Sequence, residues 1–355
     1  MKIFVLGDSF CPASALRLAF EKLDGHSISY ADVVDEPTWQ PISASESQIS
    51  EYLGSPAQVI AALGVNDGCG HDVLVIQGAP VTDAVIAAAS KLKLICVARG
   101  GPVNVDVEAA TERGIPVVTT PGKNATAVAE LTIAMLVMLA RRLPEAERYV
   151  NEGGEVYVDN YEGANWFGHN LAGHMLGLVG FGHVGSRVTN RALAFEMRVL
   201  VYDPFVPASE IREAGAEPAD LSRLLREADY VSLHARATSE NCAMIGASQF
   251  DLMKPGVCFV NTARDSLVDE EALHSALRSG HVAGAALDIA SPSQAGSRHR
   301  LLELSNVLML PHIGGATFDT LVNGGHVAVA EIQRFASGRP LANVVNPSVL
   351  SGTRE

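Results

Sequence analysis

The sequence predicts an α/β protein built from two doubly wound parallel-sheet domains, and three observations carry that prediction. Short apolar runs alternate with helical stretches along most of the chain, and a second series of such runs begins at Met175. The 355 residues also exceed what one core holds, since single cores stop growing near ~250 to 300 residues.

In the first series the predicted strands are residues 2–6, 72–76, 92–97 and 115–119, with helices over 83–90 and 107–113 between them. Pro121-Gly122 then punctuates the chain, and a long helix over 125–142 follows. Its apolar stretch Leu131 to Ala140 is too short to cross a bilayer and reads as a buried helix. Residues 150–168 are polar, Gly-rich and aromatic (Tyr157, Tyr161, Trp166), which suits a connecting arm of the kind that packs on a partner subunit. The second series runs from Met175 through 199–202, 230–233, 257–261, 283–287 and 307–310. A helix over 327–336 and an extended stretch over 340–347 return the C-terminus to the first domain. The expected domains are therefore 1–121 with 320–355, and 122–319.

The strongest local signal lies between Met175 and Asp203. An apolar strand enters Gly180-Phe181-Gly182-His183-Val184-Gly185, a helix follows, and a second strand (Val199 to Tyr202) ends at Asp203. Gly180 permits a tight turn, Gly182 lets backbone N–H groups approach a pyrophosphate, and Gly185 allows close packing of helix on strand. Asp203, eighteen residues after Gly185, can accept hydrogen bonds from ribose hydroxyls and would repel a 2′-phosphate. A dinucleotide site with NAD favoured over NADP is the implication.

Composition narrows the class. A formal charge of −14 disfavours nucleic acid and anionic membrane surfaces as partners, while leaving room for a local basic pocket that takes an acidic small molecule. The N-terminus begins directly as a strand without signal-peptide features, so the expected location is cytoplasmic. The five cysteines share no metal-type spacing; Cys96 and Cys258 read as small core residues, and Cys69 with His71 is too weak a pair to predict a metal site.

Taken together, the chain resembles the D-2-hydroxyacid dehydrogenase family, in its phosphoglycerate-dehydrogenase-like branch, over nearly its whole length. The resemblance rests on Lys91-Leu92-Lys93, Val105 to Ala110, Asn124 with Val128-Ala129-Glu130, the glycine motif, Met253-Lys254-Pro255-Gly256, Asn261-Thr262-Ala263-Arg264 with Val268-Asp269, Gly284 to Asp288, and Pro311-His312-Ile313-Gly314-Gly315. It implies a flavodoxin-like substrate domain and a Rossmann domain with a cleft between them. It further implies NAD as cofactor, a 2-hydroxy or 2-oxo acid as substrate and a homodimer.

By the same resemblance Arg264 is the arginine that binds carboxylate and carbonyl oxygen, and His312 is the general acid/base. His183 and Val184 offer backbone N–H groups to the pyrophosphate, Thr262 lines the cofactor, and Asp288 accepts from the nicotinamide amide. Gly314 and Gly315 let the backbone approach the ring. Asn124 and the N–H groups of Gly100 and Gly101 match the substrate cradle.

Two departures from the family matter most. The glutamate that normally pairs with the catalytic histidine, five residues after Asp288, is Ser293. Three readings stand: Ser293 or Gln294 orients His312 as a neutral partner, as a glutamine does in formate dehydrogenases; a carboxylate such as Glu303 arrives from elsewhere; or turnover has been lost. The first predicts activity at neutral to high pH, because an imidazolium without a carboxylate is less stabilised. The second departure is the stretch Ile76-Gln77-Gly78-Ala79-Pro80, which lacks an arginine found there in many members, while Arg99 stands beside Gly100-Gly101. Arg99 is expected to anchor a second acidic or polyhydroxylated end of the substrate, such as a sugar acid or its phosphate, against the plainer reading that it faces an acid of its own domain.

Two smaller changes are Asp265, where a glycine is usual, and Arg236, where a proline is common. A non-catalytic NAD-sensing regulator and a formate-type dehydrogenase remain the alternative functions. Retained Arg264 and His312 favour an enzyme, and the glycines beside Arg99 favour a longer acid than formate.

Overall fold

The computed structural model describes residues 1–21, 23–33, 53–63, 70–155, 166–291 and 299–350. The chain divides into two units, Met1–Lys123 with Thr317–Glu355, and Asn124–Ala316.

The first unit is a five-stranded parallel sheet of β1 (Lys2–Gly7), β2 (Ser27–Asp32), β3 (Val73–Ile76), β4 (Leu94–Val97) and β5 (Val117–Thr119), in the order β2-β1-β3-β4-β5. This is the flavodoxin-like order, in which the chain winds first to one side of β1 and then to the other. β3, β4 and β5 are buried throughout, which is why they read as unbroken apolar runs rather than as alternations. One face packs Phe4, Leu74 and Ile95, and the other packs Ile3, Val73 and Leu94 against helices Ala13–Phe20 and Phe318–Ala336. Those helices approach closely at Gly325, where a Cβ would stand 2.6 Å from Ala19 Cβ. The tail is tied to the same unit: Val118 bridges Val344, and Asn346 Oδ1 accepts the Val117 N–H at 2.8 Å.

β2 escaped the sequence reading for a physical reason. It pairs only with β1 at the sheet edge and shows an exposed and half-buried alternation, with only Ile28, Tyr30 and Ala31 turned to apolar neighbours. An edge strand of composition Ser-Ile-Ser-Tyr-Ala-Asp buries too little to stand out by hydropathy.

The second unit is a seven-stranded parallel sheet in the order β12-β11-β10-β9-β6-β7-β8. Its strands are β6 (Met175–Val179), β7 (Arg198–Tyr202), β8 (Glu217–Pro218), β9 (Tyr230–Leu233), β10 (Val257–Asn261), β11 (Val282–Leu287) and β12 (Val307–Met309). The winding reverses at β6, between β7 and β9. At such a switch point the loops beyond the two strands part and leave a crevice at the C-terminal edge of the sheet. Helix Ala125–Ala140 covers one face, burying Ile133, Met135, Leu136 and Leu139 with Val260 and Ala286, so the apolar run is the buried helix expected. It ends before Arg142, which takes a left-handed φ of 54°. Trp166, at the described end of the arm, packs on Tyr149 with ring centroids 5.1 Å apart; residues 156–165 of that arm lie outside the described residues. No described helix is long and apolar enough to cross a membrane.

Candidate functional site

The parallel sheet of the second unit gathers the motif residues without further help. Gly180 follows β6, Asp203 follows β7, His234 follows β9, Arg264 follows β10, Asp288 follows β11 and His312 follows β12. Residues far apart in sequence thus share one edge, the edge where open α/β sheets bind ligands.

The glycine loop is built as its spacing requires. Gly180 has φ +103°, and a Cβ there would lie 2.6 Å from Ala235 N, so no other residue fits. A Cβ on Gly185 would lie 2.2 Å from the Gly180 carbonyl oxygen, which fixes helix His183–Ala194 tightly against the loop. Gly182 differs: nothing lies within 4 Å of its would-be Cβ. It opens a helix with no side-chain cap, so His183 and Val184 stand in the first turn, where N–H groups lack intrahelical partners. Open space at an uncapped N-terminus fits a pyrophosphate. Asp203 Oδ2 accepts the Phe181 N–H at 2.7 Å and Oδ1 accepts the Phe205 N–H at 2.9 Å. A carboxylate has about four acceptor positions, so capacity remains for ribose hydroxyls.

The His312 turn is held by Asp288. That buried carboxylate accepts the N–H groups of Ile313 at 2.8 Å and Gly314 at 2.7 Å. His312 has φ +57°, a left-handed conformation that non-glycine residues adopt at a cost of order 1 kcal/mol. A Cβ on Gly314 would stand 2.7 Å from Asp288 Oδ2, and one on Gly315 would stand 2.9 Å from Asn124 Nδ2, so neither glycine can be enlarged without moving these side chains. Asn124 itself precedes helix Ala125–Ala140 and makes no capping bond with its side chain. A groove of about 450 Å³ opens beside His312, lined by Asp288, Ser291, His299 and Pro311 among others. Ser293 and Gln294 lie outside the described residues. Glu303 is exposed and makes no ion pair with His312.

Arg264 leaves β10 on an extended backbone and is exposed; its Nη1 donates to the Ala263 carbonyl at 2.6 Å. No ion pair joins it to Asp265 among the described residues, so its outer guanidinium edge is not neutralised by its neighbour. Asn261 Nδ2 donates to the Arg264 carbonyl at 2.8 Å and Asn261 Oδ1 accepts from Ala263 N at 2.9 Å, which makes the turn carrying the arginine stiff.

Behind this turn lies a hydrogen-bond chain that sequence reading missed. Thr132 Oγ1 donates to the Val128 carbonyl at 2.8 Å and lies 3.2 Å from Thr262 Oγ1. Since its one proton goes to that carbonyl, Thr132 accepts from Thr262. Thr262 then accepts from His234 Nδ1 at 3.5 Å, and His234 Nε2 accepts from Ser232 Oγ at 2.9 Å. Thr132 fixes these directions as far as His234 Nδ1. Burial pushes His234 down to about 3, and the neutral imidazole then leaves Nε2 to accept from Ser232. Ser232 and His234 share one face of the strand end by the two-residue period, which was the available signal.

In the first unit Arg99 stands two residues beyond β4, its carbonyl accepting the Thr120 N–H at 2.9 Å. It pairs with no acid of its own unit among the described residues. A Cβ on Gly100 or Gly101 would meet nothing within 4 Å, so space surrounds this loop. Lys123, which the sequence reading did not single out, donates from Nζ to the Ala98 carbonyl at 2.6 Å. No group of three or more His, Cys, Asp or Glu suited to a metal occurs among the described residues.

A glycine loop at a topological switch point, an acid at the next strand end and a histidine turn clamped by a buried carboxylate define a nucleotide-binding α/β protein. Residues 133–314 match the family profile described as D-isomer specific 2-hydroxyacid dehydrogenase, NAD binding domain. A D-3-phosphoglycerate dehydrogenase of Archaeoglobus fulgidus is 40% identical over 281 residues, 79% of this chain and 52% of that one. A hydroxypyruvate reductase of Thermotoga maritima is 40% identical over 249 residues, 69% of this chain and 78% of that one. The crystal structure of the TT0316 protein from Thermus thermophilus is 32% identical, covers 97% of this chain and 100% of its own, and has a TM-score of 0.69. The chain spans about half the length of the phosphoglycerate dehydrogenases it matches. It belongs to the D-2-hydroxyacid dehydrogenase family and carries that family's NAD-binding domain.

Proposed function

We propose that the protein is an NAD-dependent oxidoreductase acting at C2 of a D-2-hydroxy acid or 2-oxo acid, in the cytoplasm and as a homodimer. The observation that carries the reading is the Asp288 clamp, which holds His312 in a left-handed turn on the same sheet edge as Arg264 and the glycine loop. The names of the two relatives support a small 2-hydroxy acid as substrate.

When bound, the nicotinamide supplies or accepts the hydride at C2. Gly182, His183 and Val184 seat the pyrophosphate, Asp203 takes the ribose, and Gly180 and Gly185 fix the loop. Thr262 and Asp288, with Gly314 and Gly315, bound the nicotinamide region.

Arg264 binds the substrate carboxylate and its C2 oxygen through the planar guanidinium, stabilising charge as it develops there. His312 gives a proton to that oxygen on reduction and removes it on oxidation. Asn124 and the N–H groups of Gly100 and Gly101 cradle the carboxylate, and Arg99 anchors the far end of the acid. Ser293 is proposed to orient His312 in place of a glutamate.

The test is NADH oxidation with a panel of 2-oxo acids between pH ~6 and ~10. Turnover by the native protein that is lost in His312→Ala supports the reading. Tight NADH binding without turnover on any acid would instead indicate a nucleotide sensor.

A further inference from the structure

A parallel sheet has two edges. In the second unit the glycine loop, Arg264 and His312 follow strand ends, so the loops before the strand starts gather on the opposite edge. The five residues of β6 set these edges roughly 15 Å apart. At the edge of strand starts a cleft of about 390 Å³ opens beside the C-terminal end of helix Ala125–Ala140, a size common among small-molecule sites. Each of β6, β9, β10, β11 and β12 contributes to it a residue at or next to its start.

Tyr230, the first residue of β9, lines this cleft next to its register partner Cys258. The tyrosine is only 3% exposed, yet its hydroxyl makes no hydrogen bond among the described residues. A buried hydroxyl without a partner is uncommon and calls for an explanation. Burial, with the neighbouring Cys258 and Asp229, pushes the phenol up, so the group keeps its proton and stands as a donor.

The charged side chains of the cleft cancel in pairs. Arg142 Nε donates to Glu145 at 2.6 Å, Lys254 Nζ donates to Asp229 Oδ1 at 2.7 Å, and Asp229 Oδ2 accepts the Met175 N–H at 2.8 Å. An ionic ligand therefore meets counter-charges that are already paired. Aromatic rings supply much of the remaining wall. His174 stands edge-on to Tyr230 with centroids 6.0 Å apart and tilts against His169 at 5.7 Å, and Phe167 is exposed. Such rings favour a flat partner packed edge-on or offset.

We propose that this cleft is a second small-molecule site, which takes a neutral aromatic compound whose carbonyl oxygen accepts from the Tyr230 hydroxyl. Leu139 and Val257 give the ring its apolar bed. The site lies on the far edge of the sheet from the nucleotide crevice, so it does not rest on the dehydrogenase reading.

The experiment is a ligand-observed NMR titration of the full chain with benzamide at pH 8, with and without saturating NADH. Benzamide should bind with a Kd of ~0.1 to 5 mM, changed less than ~twofold by NADH. Benzoate, of the same shape but charged, should bind ~tenfold or more weaker, and cyclohexanecarboxamide ~threefold or more weaker. Tyr230→Phe removes the donor alone. It should weaken benzamide ~fivefold or more while the melting temperature stays within ~2 °C, because the hydroxyl has no protein partner to lose. Cys258→Met fills the space beside it and should abolish binding, which keeps the test open should the Phe variant fail to fold.

Displacement of benzamide by NADH, benzoate or cyclohexanecarboxamide binding as tightly as benzamide, or parent-like affinity in Tyr230→Phe would overturn the proposal, as would no saturable binding below ~10 mM. If NADH itself does not bind, the dehydrogenase reading falls and the remaining arms still decide this site.

Discussion

Asp288 Oδ2 accepts the backbone N–H of Gly314 at 2.7 Å, while Oδ1 accepts that of Ile313 at 2.8 Å, so one buried carboxylate fixes both residues that follow His312. The left-handed φ of His312 persists because these two bonds over-determine the turn. Asp288→Ala leaves two N–H groups without their charged acceptor. It should cost about 2 to 4 kcal/mol of stability and lower kcat about 100-fold by loosening the histidine. Urea unfolding and steady-state kinetics check both. Unchanged kcat in a destabilised variant would mean that the clamp serves folding alone.

The glycine loop separates folding from binding within three residues. Gly180→Ala brings a Cβ to 2.6 Å from Ala235 N at φ +103°, so it should destabilise the protein by at least about 2 kcal/mol. Gly182→Ala adds its methyl to empty space. Its melting temperature should stay within about 2 °C of the parent, while NADH dissociation rises at least about tenfold because the methyl occupies the approach of the pyrophosphate. Thermal melts with NADH titration test the pair, and parent-like NADH affinity in Gly182→Ala would move the pyrophosphate elsewhere.

The Asp203 oxygens hold Phe181 N and Phe205 N. In the proposed cofactor site its negative charge also opposes a 2′-phosphate. Asp203→Ser should therefore lower the preference for NADH over NADPH by about tenfold or more and also weaken both nucleotides through the loosened loop. The ratio of kcat/KM for the two cofactors is the readout, and an unchanged ratio would remove Asp203 from cofactor selection.

What could be read from the sequence was whatever is local. The glycine triplet, the acid eighteen residues on and the apolar strands depend on neighbours within one βαβ unit, and the parallel sheet then collects their ends at one edge. β2 was not legible because an edge strand needs little apolar surface, and helix Phe318–Ala336 starts nine residues before the predicted 327 because its first half carries Gly324 and Gly325 to pack on Ala98, Leu16 and Ala19. His234 was passed over because its partners Thr262 and, beyond it, Thr132 come from distant elements. Lys123 carries no local signal, because the Ala98 carbonyl that its ammonium meets follows a different strand.

The His234 chain gives the protein a built-in acid sensitivity. Burial pushes the imidazole from 6.5 down to about 3, so the folded state stays neutral where the unfolded chain takes a proton. The unfolded state then binds more protons throughout the window between these values, and stability falls as pH falls through it. At pH 7 only about a quarter of the limiting slope remains, and well above pH 7 the group contributes no pH dependence. Below 6.5 its share of the slope approaches about 1.4 kcal/mol per pH unit. Asp8, pushed up by burial, acts in the opposite sense, since a carboxyl with a raised value favours the folded state as pH falls. His71, which burial also pushes down, adds to the same window, so the native curve alone mixes these groups. Urea unfolding of the native protein and His234→Gln at several pH values between 7 and 5 isolates the histidine: the difference in stability between them should shift against the native protein by about 1 kcal/mol between pH 6.5 and 5.5, with the slope rising toward about 1.4 kcal/mol per pH unit below that. A difference that stays constant with pH would mean that His234 titrates alike in both states and is not held neutral toward Ser232 in the folded protein.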